Sequence, residues 1–578
     1  MCGFLIIKKK NYSKNLKNKF LNSLHFMRNR GPDESTHVEL KDMLIGFNRL
    51  SINNINNGSQ PFSSKCGRYI LVFNGEILNF KDLIKSLKKQ KIKFDFENEI
   101  ETILNLYILH GESCVKFFRG FFSIVIIDKF KNSIFAAVDR MGIKPLYYCY
   151  EKKKNQLIIT SDYSHLNKYK IIDLKLKFNV LRNFVCLGRN FRGETIYNNI
   201  FELPQASIMN FNERKGITIK KYWRPFRNHV FSKKKLVTTK LLENKLLKIN
   251  KIWQISETKI SSTLSSGVDS NLINYTFKKN RRKIKNFSIY ETSSQNLKKK
   301  NIISEKINYK QSIRSLENFT KINKNPFVLA NPGSIALFQL YSKIKKFGYK
   351  VSFTGEGADE LFGGYERYRR QYNLLQTREM KFNDHLIELY KREVSLFEKT
   401  QKILPKKKIK KGLLDDIASI KCLSKNIKNK ILEFDQLTWL NSLLRKHDVI
   451  GMNYSIEVRP SFLDNELLNF VNNEVNPNFK FNESKNKILL KDILLKKLKI
   501  NYHNRKKLGT KSLINHIFNN KDRFKKFKKD ILHSNFLKKI FNLKTLKNKK
   551  FFVIENYIFL WRLFILSKMF HNKQKIIK

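Results

Sequence analysis

Leu264-Ser265-Ser266-Gly267-Val268-Asp269-Ser270 decides how the rest of this chain is read. Lys259-Ile260-Ser261-Ser262-Thr263 precedes it, short and partly β-branched, and predicts a strand despite its polarity. Asn271-Leu272-Ile273 follows and opens a run with apolar residues at helical spacing as far as Phe277. A strand, a small-residue turn and a helix start gather backbone N–H groups and a helix dipole around one point, which suits an anion. Gly267 lets the backbone come close, and Ser265, Ser266 and Ser270 add hydroxyl donors. Asp269 stands where a phosphate-bound Mg²⁺ needs a carboxylate oxygen. No Lys follows the glycine, so the loop is not of the G-x-x-x-x-G-K-[ST] kind. Taken alone, the same residues also spell ordinary serine capping at a helix start.

Length and composition bound what surrounds this loop. The chain has 578 residues, 41% hydrophobic and 13% aromatic, which predicts a globular protein of several domains with ample core. Its net charge of +67 is extreme, but the lysines are spread along the chain among Asn, Ile and Phe. That spread fits a global residue bias better than a specific nucleic-acid patch, and predicts non-specific, salt-sensitive stickiness. Six cysteines lie far apart without a C-x-x-C pair, so free thiols in a reducing compartment are expected. No signal-peptide h-region follows Met1. The apolar stretch Phe551 to Phe570 is broken by Glu555, Arg562 and Lys568, and predicts a packed helix rather than a membrane span.

The chain opens Met1-Cys2-Gly3-Phe4-Leu5-Ile6-Ile7. Removal of Met1 would leave a thiol and a free α-amine on one residue, and an amine with a pKa of about 7.7–8.0 is a local base for the thiol. A second-position Cys opening a buried strand is the alternative. Arg28-Asn29-Arg30-Gly31-Pro32-Asp33 is a turn with two cations, and Arg49 ends an apolar run where a guanidinium can grip a carboxylate bidentately. Ile70-Leu71-Val72-Phe73 reads as a buried strand stopping at Asn74-Gly75-Glu76, and an Asn amide beside a glycine N–H makes a workable oxyanion hole. Apolar runs at Phe121–Ile127 and Ile134–Val138 lead into Asp139-Arg140-Met141-Gly142-Ile143-Lys144-Pro145-Leu146-Tyr147-Tyr148. Farther on, Val351-Ser352-Phe353 ends in the acidic, glycine-rich turn Thr354-Gly355-Glu356-Gly357-Ala358-Asp359-Glu360-Leu361-Phe362-Gly363-Gly364-Tyr365. A second carboxylate opposite Asp269 is what a Mg²⁺–pyrophosphate clamp needs.

Cys2, the sequence RGPD at 30–33, RLSI at 49–52, NGEI at 74–77 and the run at 139–148 resemble, in content and order, a class II glutamine amidotransferase domain. The loop at 264–270 is similar to the pyrophosphatase-type loop of glutamine-hydrolysing asparagine synthetases, with Ser266 where that family often has a second glycine. The resemblance implies an α/β protein. An N-terminal-nucleophile α/β/β/α sandwich occupies 1–211, a connector 212–235, and a mostly parallel α/β ATP-pyrophosphatase domain with added helices 236–578.

Carried over by position, the resemblance makes Cys2 the nucleophile, with Asn74 and Gly75 as oxyanion hole. Glutamine is held by Arg49, Leu50, Ile52, Asn74, Gly75, Glu76 and Glu99. Glu99 stands where the family carries an aspartate, which keeps the charge and lengthens the reach; read by itself it is a solvated helix-start carboxylate. ATP falls to Leu264, Ser265, Ser266, Gly267, Asp269, Ser270, Ile289, Thr354 and Gly355, and Mg²⁺ to Asp269 and Asp359. Glu356 lies beside the activated acyl group and Lys487 over it, and Arg505-Lys506-Lys507-Leu508-Gly509 forms a basic turn near pyrophosphate. Leu443 to Asp448 and Glu457 to Asp464 match the helical core, with Arg459-Pro460-Ser461 in place of Arg-Val-Pro.

Leu236, Leu241, Leu242, Leu246 and Leu247 predict a helix beside the phosphate loop, and 291–308 a lysine-rich solvated helix. The activity implied is ATP-dependent amide synthesis on L-aspartate through an acyl-adenylate, with ammonia from glutamine passing through a buried passage. The resemblance further implies a cytoplasmic homodimer with no membrane partner. The alternatives are another carboxylate acceptor, such as a sugar acid of a surface polysaccharide, and an RNA-modifying adenylating enzyme.

Overall fold

The computed structural model describes the whole chain except residues 1, 190, 192, 227–233, 292–300, 378–380, 402–405, 504–511, 548–550, 571–575 and 578. The basic turn expected at 505–509 and residues 292–300 of the solvated helix expected over 291–308 lie outside the described residues; of the remainder, Ile302–Lys306 is a sheet strand and not a helix, which corrects that expectation.

The first part of the chain is built of strands. Gly3–Lys8 (β1), Glu34–Leu40 (β2), Met43–Arg49 (β3), Phe62–Ser63 (β4), Tyr69–Ile77 (β5), Gly120–Asp128 (β6), Ser133–Val138 (β7), Tyr147–Glu151 (β8) and Gln156–Thr160 (β9) come in order. They are followed by Leu176–Lys177 (β10), Phe201–Glu202 (β11), Ser207–Asn212 (β12) and Gly216–Lys221 (β13). One sheet runs β11-β8-β9-β1-β3-β2 and the other β13-β12-β7-β6-β5-β4, both antiparallel. Strand alternation explains their stacking. Phe4 and Ile6 of β1 share the inter-sheet core with Val72, Val125 and Ile127, while Leu5 and Ile7 share the opposite face with Leu16, Phe20 and Leu24 of the helix Lys14–Phe26. The second sheet turns Leu71, Phe73, Ile124 and Ile126 toward the helices Phe80–Lys89 and Glu99–His110. The result is an α/β/β/α sandwich.

Two sequence boundaries move. The strand expected to stop at Asn74 continues to Ile77, because Gly75, with φ of +143°, lets β5 pass β6 closely; a Cβ there would lie 2.0 Å from the Phe121 carbonyl oxygen. The connector expected from 212 begins instead as β13, which pairs with β12 over Gly216–Lys221. Its exposed lysines are those of a protected edge strand, which read in sequence as a broken basic stretch.

The second part is a parallel sheet. Ile260–Thr263 (β14), Lys285–Tyr290 (β15), Ile302–Lys306 (β16), Val351–Phe353 (β17) and Glu457–Arg459 (β18) lie in the order β16-β15-β14-β17-β18. The order reverses between β14 and β17, so the loops leaving those two strands face one crevice at the topological switch point. Helices Lys235–Ile252 and Val268–Lys279 cover one face, with Leu242, Leu246, Ile249, Leu272 and Phe277 in a core with Val351 and Phe353. Leu236 and Leu241 are 74% and 45% exposed, so the helix before the loop buries a narrower stripe than its leucines suggested. Helices Tyr309–Ile322, Ile335–Lys346 and Trp439–Asn453 cover the other face with Phe287, Ile456 and Val458. The C-terminal apolar stretch is a buried helix, Tyr557–Met569. Among the described residues no helix is long and apolar enough to cross a membrane.

Candidate active site

Cys2, Arg49, Leu50, Ile52, Gly75, Glu76 and Glu99 line one pocket of the sandwich, with Asn53, Asn54, Gly58 and Gln60. Cys2 leads into β1 and Asn74 sits on β5, so the inter-sheet packing sets their separation. The backbone nitrogen of Cys2 donates to Asn74 Oδ1 at 2.8 Å, and buried Asn74 Nδ2 has no hydrogen-bond partner among the described residues. Burial pushes the Cys2 thiol up, while the nearby amino terminus, the Leu50 backbone and Arg49 pull it down. Arg49 ends β3 as expected, but its guanidinium also holds a loop: Nη1 donates to Ile55 O at 3.0 Å and Nη2 to Asn54 O at 2.5 Å. Gln60, given no role from sequence, accepts from Phe73 N at 2.6 Å beside the site.

Glu99 is 4% exposed, which corrects the solvated helix-start reading. The first turn of Glu99–His110 faces inward because Ile100, Ile103 and Leu104 pack on the sheet. Glu76 lies in the same pocket, also hydrogen-bonded by Asn53 Nδ2. Burial, then Glu457, push the Glu76 carboxyl up to about 7, against the pull of Arg459. Burial and then Glu76 raise Glu99 well above the carboxylate range.

The loop after β14 forms the second site. Gly267 caps the helix Val268–Lys279 without a side-chain hydrogen bond, leaving its N-terminal N–H groups open at the crevice. Ser265 and Ser270 hydroxyls lie 3.0 Å apart, Asn271 Nδ2 donates to Ser265 O and Gly267 O, and Ser265 and Ser266 are exposed. Leu264 N donates to Phe287 O at 2.8 Å, tying this loop to β15, which carries Ile289. The facing loop after β17 begins at Thr354 and Gly355, where a Cβ on Gly355 would meet Asp269 Cβ at 2.5 Å.

Asp269 and Asp359 converge on one point, the Lys487 ammonium, 2.6–2.7 Å from Asp269 and 2.6 Å from Asp359. Burial lowers that ammonium, but the two aspartates outweigh it and hold it above its ordinary value. The cradle is tight: a Cβ on Gly364 would lie 1.7 Å from Asp359 Oδ1 and 2.2 Å from Lys487 Cε. Glu356 Oε1 meets His447 Nε2 at 2.5 Å, and His447 Nδ1 meets Tyr341 OH at 2.5 Å, which fixes the ring. No cluster of three His, Cys, Asp or Glu able to hold a metal occurs among the described residues. Two carboxylates completed by phosphate oxygens and water still suit Mg²⁺.

Between the sites runs a buried polar seam that sequence spacing could not assign. Arg30 Nε donates to Cys2 O at 3.3 Å and its Nη2 to Asp448 Oδ2 at 3.0 Å. A small cavity beyond is lined by Ile143, Lys144, Thr354, Glu356, His447 and Asp448. The 139–148 run has a structural basis: the buried Asp139 carboxylate accepts N–H groups from Phe122, Met141, Ile143 and Lys144. Arg30, Lys144 and Asp448 lie in the matched stretches 28–33, 139–148 and 443–448, but each stands there among other charged residues and nothing local sets it apart.

Comparison with known proteins agrees with this division. A profile described as a glutamine amidotransferase domain matches residues 1–223, through β13. One described as asparagine synthase matches residues 249–552, more than half of the 578. The chain belongs to the asparagine synthase family. Glutamine-hydrolyzing asparagine synthetase 1 of Bacillus subtilis is 28% identical over 360 residues, covering 60% of this chain and 55% of that protein. Synthetase 3 of the same organism is 25% identical over 486 residues, 76% of each chain. The chain thus spans about half the length of the first relative and three quarters of the second. Among solved structures, the glutamine phosphoribosylpyrophosphate amidotransferase of B. subtilis is similar at 13% identity and a TM-score of 0.30, covering 48% of this chain and 64% of that one.

Proposed function

We propose that the chain makes an amide on a carboxylate acceptor, L-aspartate, taking ammonia from glutamine and splitting ATP to AMP and pyrophosphate. The Cys2 thiol attacks the glutamine side-chain amide, ammonia leaves, and water hydrolyses the acyl-enzyme to glutamate. With Met1 removed, the Cys2 amine held by Asn74 Oδ1 takes the thiol proton, while Asn74 Nδ2 and Gly75 N–H receive the oxyanion. Arg49 binds the glutamine α-carboxylate, and Glu99, with Glu76, its α-ammonium. At the second site the helix start at Val268 and the loop serines receive phosphates. The acceptor carboxylate attacks the α-phosphate, pyrophosphate leaves, and ammonia then displaces AMP beside Glu356, which His447 positions. Asp269 and Asp359 would hold Mg²⁺, which neutralises charge on the leaving pyrophosphate.

The observation that carries this reading is Asn74: one atom holds the Cys2 nitrogen, and the other is a buried donor with no partner among the described residues. The test is pyrophosphate release from ATP–Mg²⁺ with ammonia as nitrogen source, with and without L-aspartate. Aspartate-dependent release with asparagine formed supports the reading. ATP binding without stimulation by aspartate moves the acceptor to another carboxylate.

Further outcomes follow at each site. A glutamine α-ammonium needs an ionised carboxylate, and Glu76, pushed up to about 7 chiefly by burial, gains a proton as pH falls through that value. The glutamine KM should therefore rise as pH falls below that value, by up to about tenfold per unit. Ammonia-dependent synthesis, corrected for free ammonia, should not follow the same curve. Gly364→Ala should displace Asp359 and Lys487 and lower ATP-dependent pyrophosphate release by about 100-fold or more. Glutamine hydrolysis should survive that change.

A further inference from the structure

Resting on the two-site reading above, we infer that Arg459 is a positioning residue shared by both sites, setting Glu76 in the glutamine pocket and the two loops of the ATP crevice together. Arg459 is fully buried at the end of β18. Its Nη2 lies 3.5 Å from Glu76 Oε1 and makes no hydrogen bond among the described residues, so a buried donor is aimed at the glutamine pocket's acid. Its Nε donates to Glu457 Oε1 at 2.6 Å, and its Nη1 to Trp253 O at 2.7 Å and Ile255 O at 2.6 Å. The guanidinium thus fixes the segment that leads directly into β14 and the phosphate loop.

The backbone of the same residue reaches the other loop. Arg459 pairs with Phe353 in the sheet, and its carbonyl accepts the Thr354 N–H at 3.2 Å, the first residue after β17. The segment it fixes also grips the glutamine pocket. Glu257 accepts N–H from Asn54 at 2.8 Å and Ile55 at 3.3 Å, and its own N–H donates to Ile52 O at 3.1 Å. Asn54 and Ile55 are the residues whose carbonyls hold Arg49. One residue therefore reaches the Glu76 carboxylate and the segment before β14 through its guanidinium, and the loop after β17 through its backbone carbonyl.

A glutamine α-ammonium arriving between Glu76 and Glu99 changes the charge that Nη2 faces, and any resulting shift is felt at Thr354. Linkage makes the effect reciprocal: ATP at the crevice must alter glutamine affinity by the same factor. The test measures the glutamine KM for hydrolysis with and without saturating ATP–Mg²⁺. In the wild-type enzyme the two values should differ by about fivefold or more. In Arg459→Lys, whose ammonium can keep Glu457 but cannot span Glu76 and both carbonyls, the ratio should collapse to near one. The double variant Arg459→Met/Glu457→Met removes both members of a buried pair, a change that is often near neutral for folding, and should collapse the ratio likewise.

A ratio of one in the wild type overturns the inference, as does a ratio preserved in the variants. A uniform fall in kcat at both sites with the ratio kept assigns Arg459 to packing alone and also overturns it. Absence of glutamine hydrolysis in the wild type removes the two-site reading and the inference with it, whereas hydrolysis without coupling removes only the inference.

Discussion

Replacing Cys2 with alanine is expected to reduce glutamine hydrolysis by at least about 10⁴-fold, the loss typical of deleting a covalent nucleophile. Ammonia-dependent amide formation should persist within about twofold, because none of the interactions of Cys2 reaches the ATP crevice. It bonds the Asn74 amide through its backbone nitrogen and Arg30 through its backbone carbonyl, and its thiol meets the Leu50 backbone. Alanine loses the Leu50 contact, inside the glutamine pocket, but retains the two main-chain bonds, so the Arg30–Asp448 link toward the second site stays in place. The lost sulfur leaves a small buried space, with a stability cost of about 1 kcal/mol. Glutamate release and ammonia-dependent pyrophosphate release on the same preparation read the two halves separately. Loss of both would mean that Cys2 is structural and the nucleophile lies elsewhere.

Much of the framework was legible because its signals are local. The apolar runs at 70–73, 121–127 and 134–138 fall in β5, β6 and β7, and the small-residue turn at 264–267 falls between β14 and its helix. These follow from side-chain periodicity and turn chemistry, which the sequence carries directly. Errors arose where burial depends on partners far along the chain. Glu99 looks solvated by its neighbours in sequence, yet the helix it begins lies against the second sheet and turns it into the pocket. Leu236 and Leu241 look like core and are not, because the helix presents only the Leu242–Leu246–Ile249 stripe to the sheet. The strand Gly216–Lys221 was hidden by lysines that belong on an edge.

The site was legible in its chemistry and illegible in its connections. An Arg at a strand end announces anion binding, but nothing local says that Arg49 also ties down the carbonyls of Asn54 and Ile55. Likewise Arg459 sits in a quoted motif, while its partners Trp253, Ile255 and Glu76 lie hundreds of residues away in the chain. Such charges are expensive to bury unless paired, so each marks a place where the fold has been built around it.

Asp269→Asn is expected to lower ATP-dependent pyrophosphate release by about 10³-fold with either nitrogen donor, the scale of removing a preorganised charge from a phosphoryl-transfer site. In the structure Asp269 and Asp359 share the Lys487 ammonium, and Lys487 is itself buried. An amide at position 269 keeps the shape and removes one of the two negative charges on which a cation depends. Mg²⁺ affinity should fall, and the Lys487 ammonium should lose part of what holds it above its ordinary value. Glutamine hydrolysis should continue, because Cys2, which leads into β1, and Asn74 and Gly75, on β5, belong to the sandwich and not to the crevice loops. The measurement is pyrophosphate release across a Mg²⁺ titration, with glutamate release followed in parallel. A curve shifted to higher Mg²⁺ with a recoverable maximum assigns Asp269 to the metal; a depressed maximum that no Mg²⁺ concentration restores assigns it to holding Lys487. Wild-type rates at low Mg²⁺ would remove Asp269 from both roles, and leave the convergence on Lys487 as an ion pair that serves folding alone.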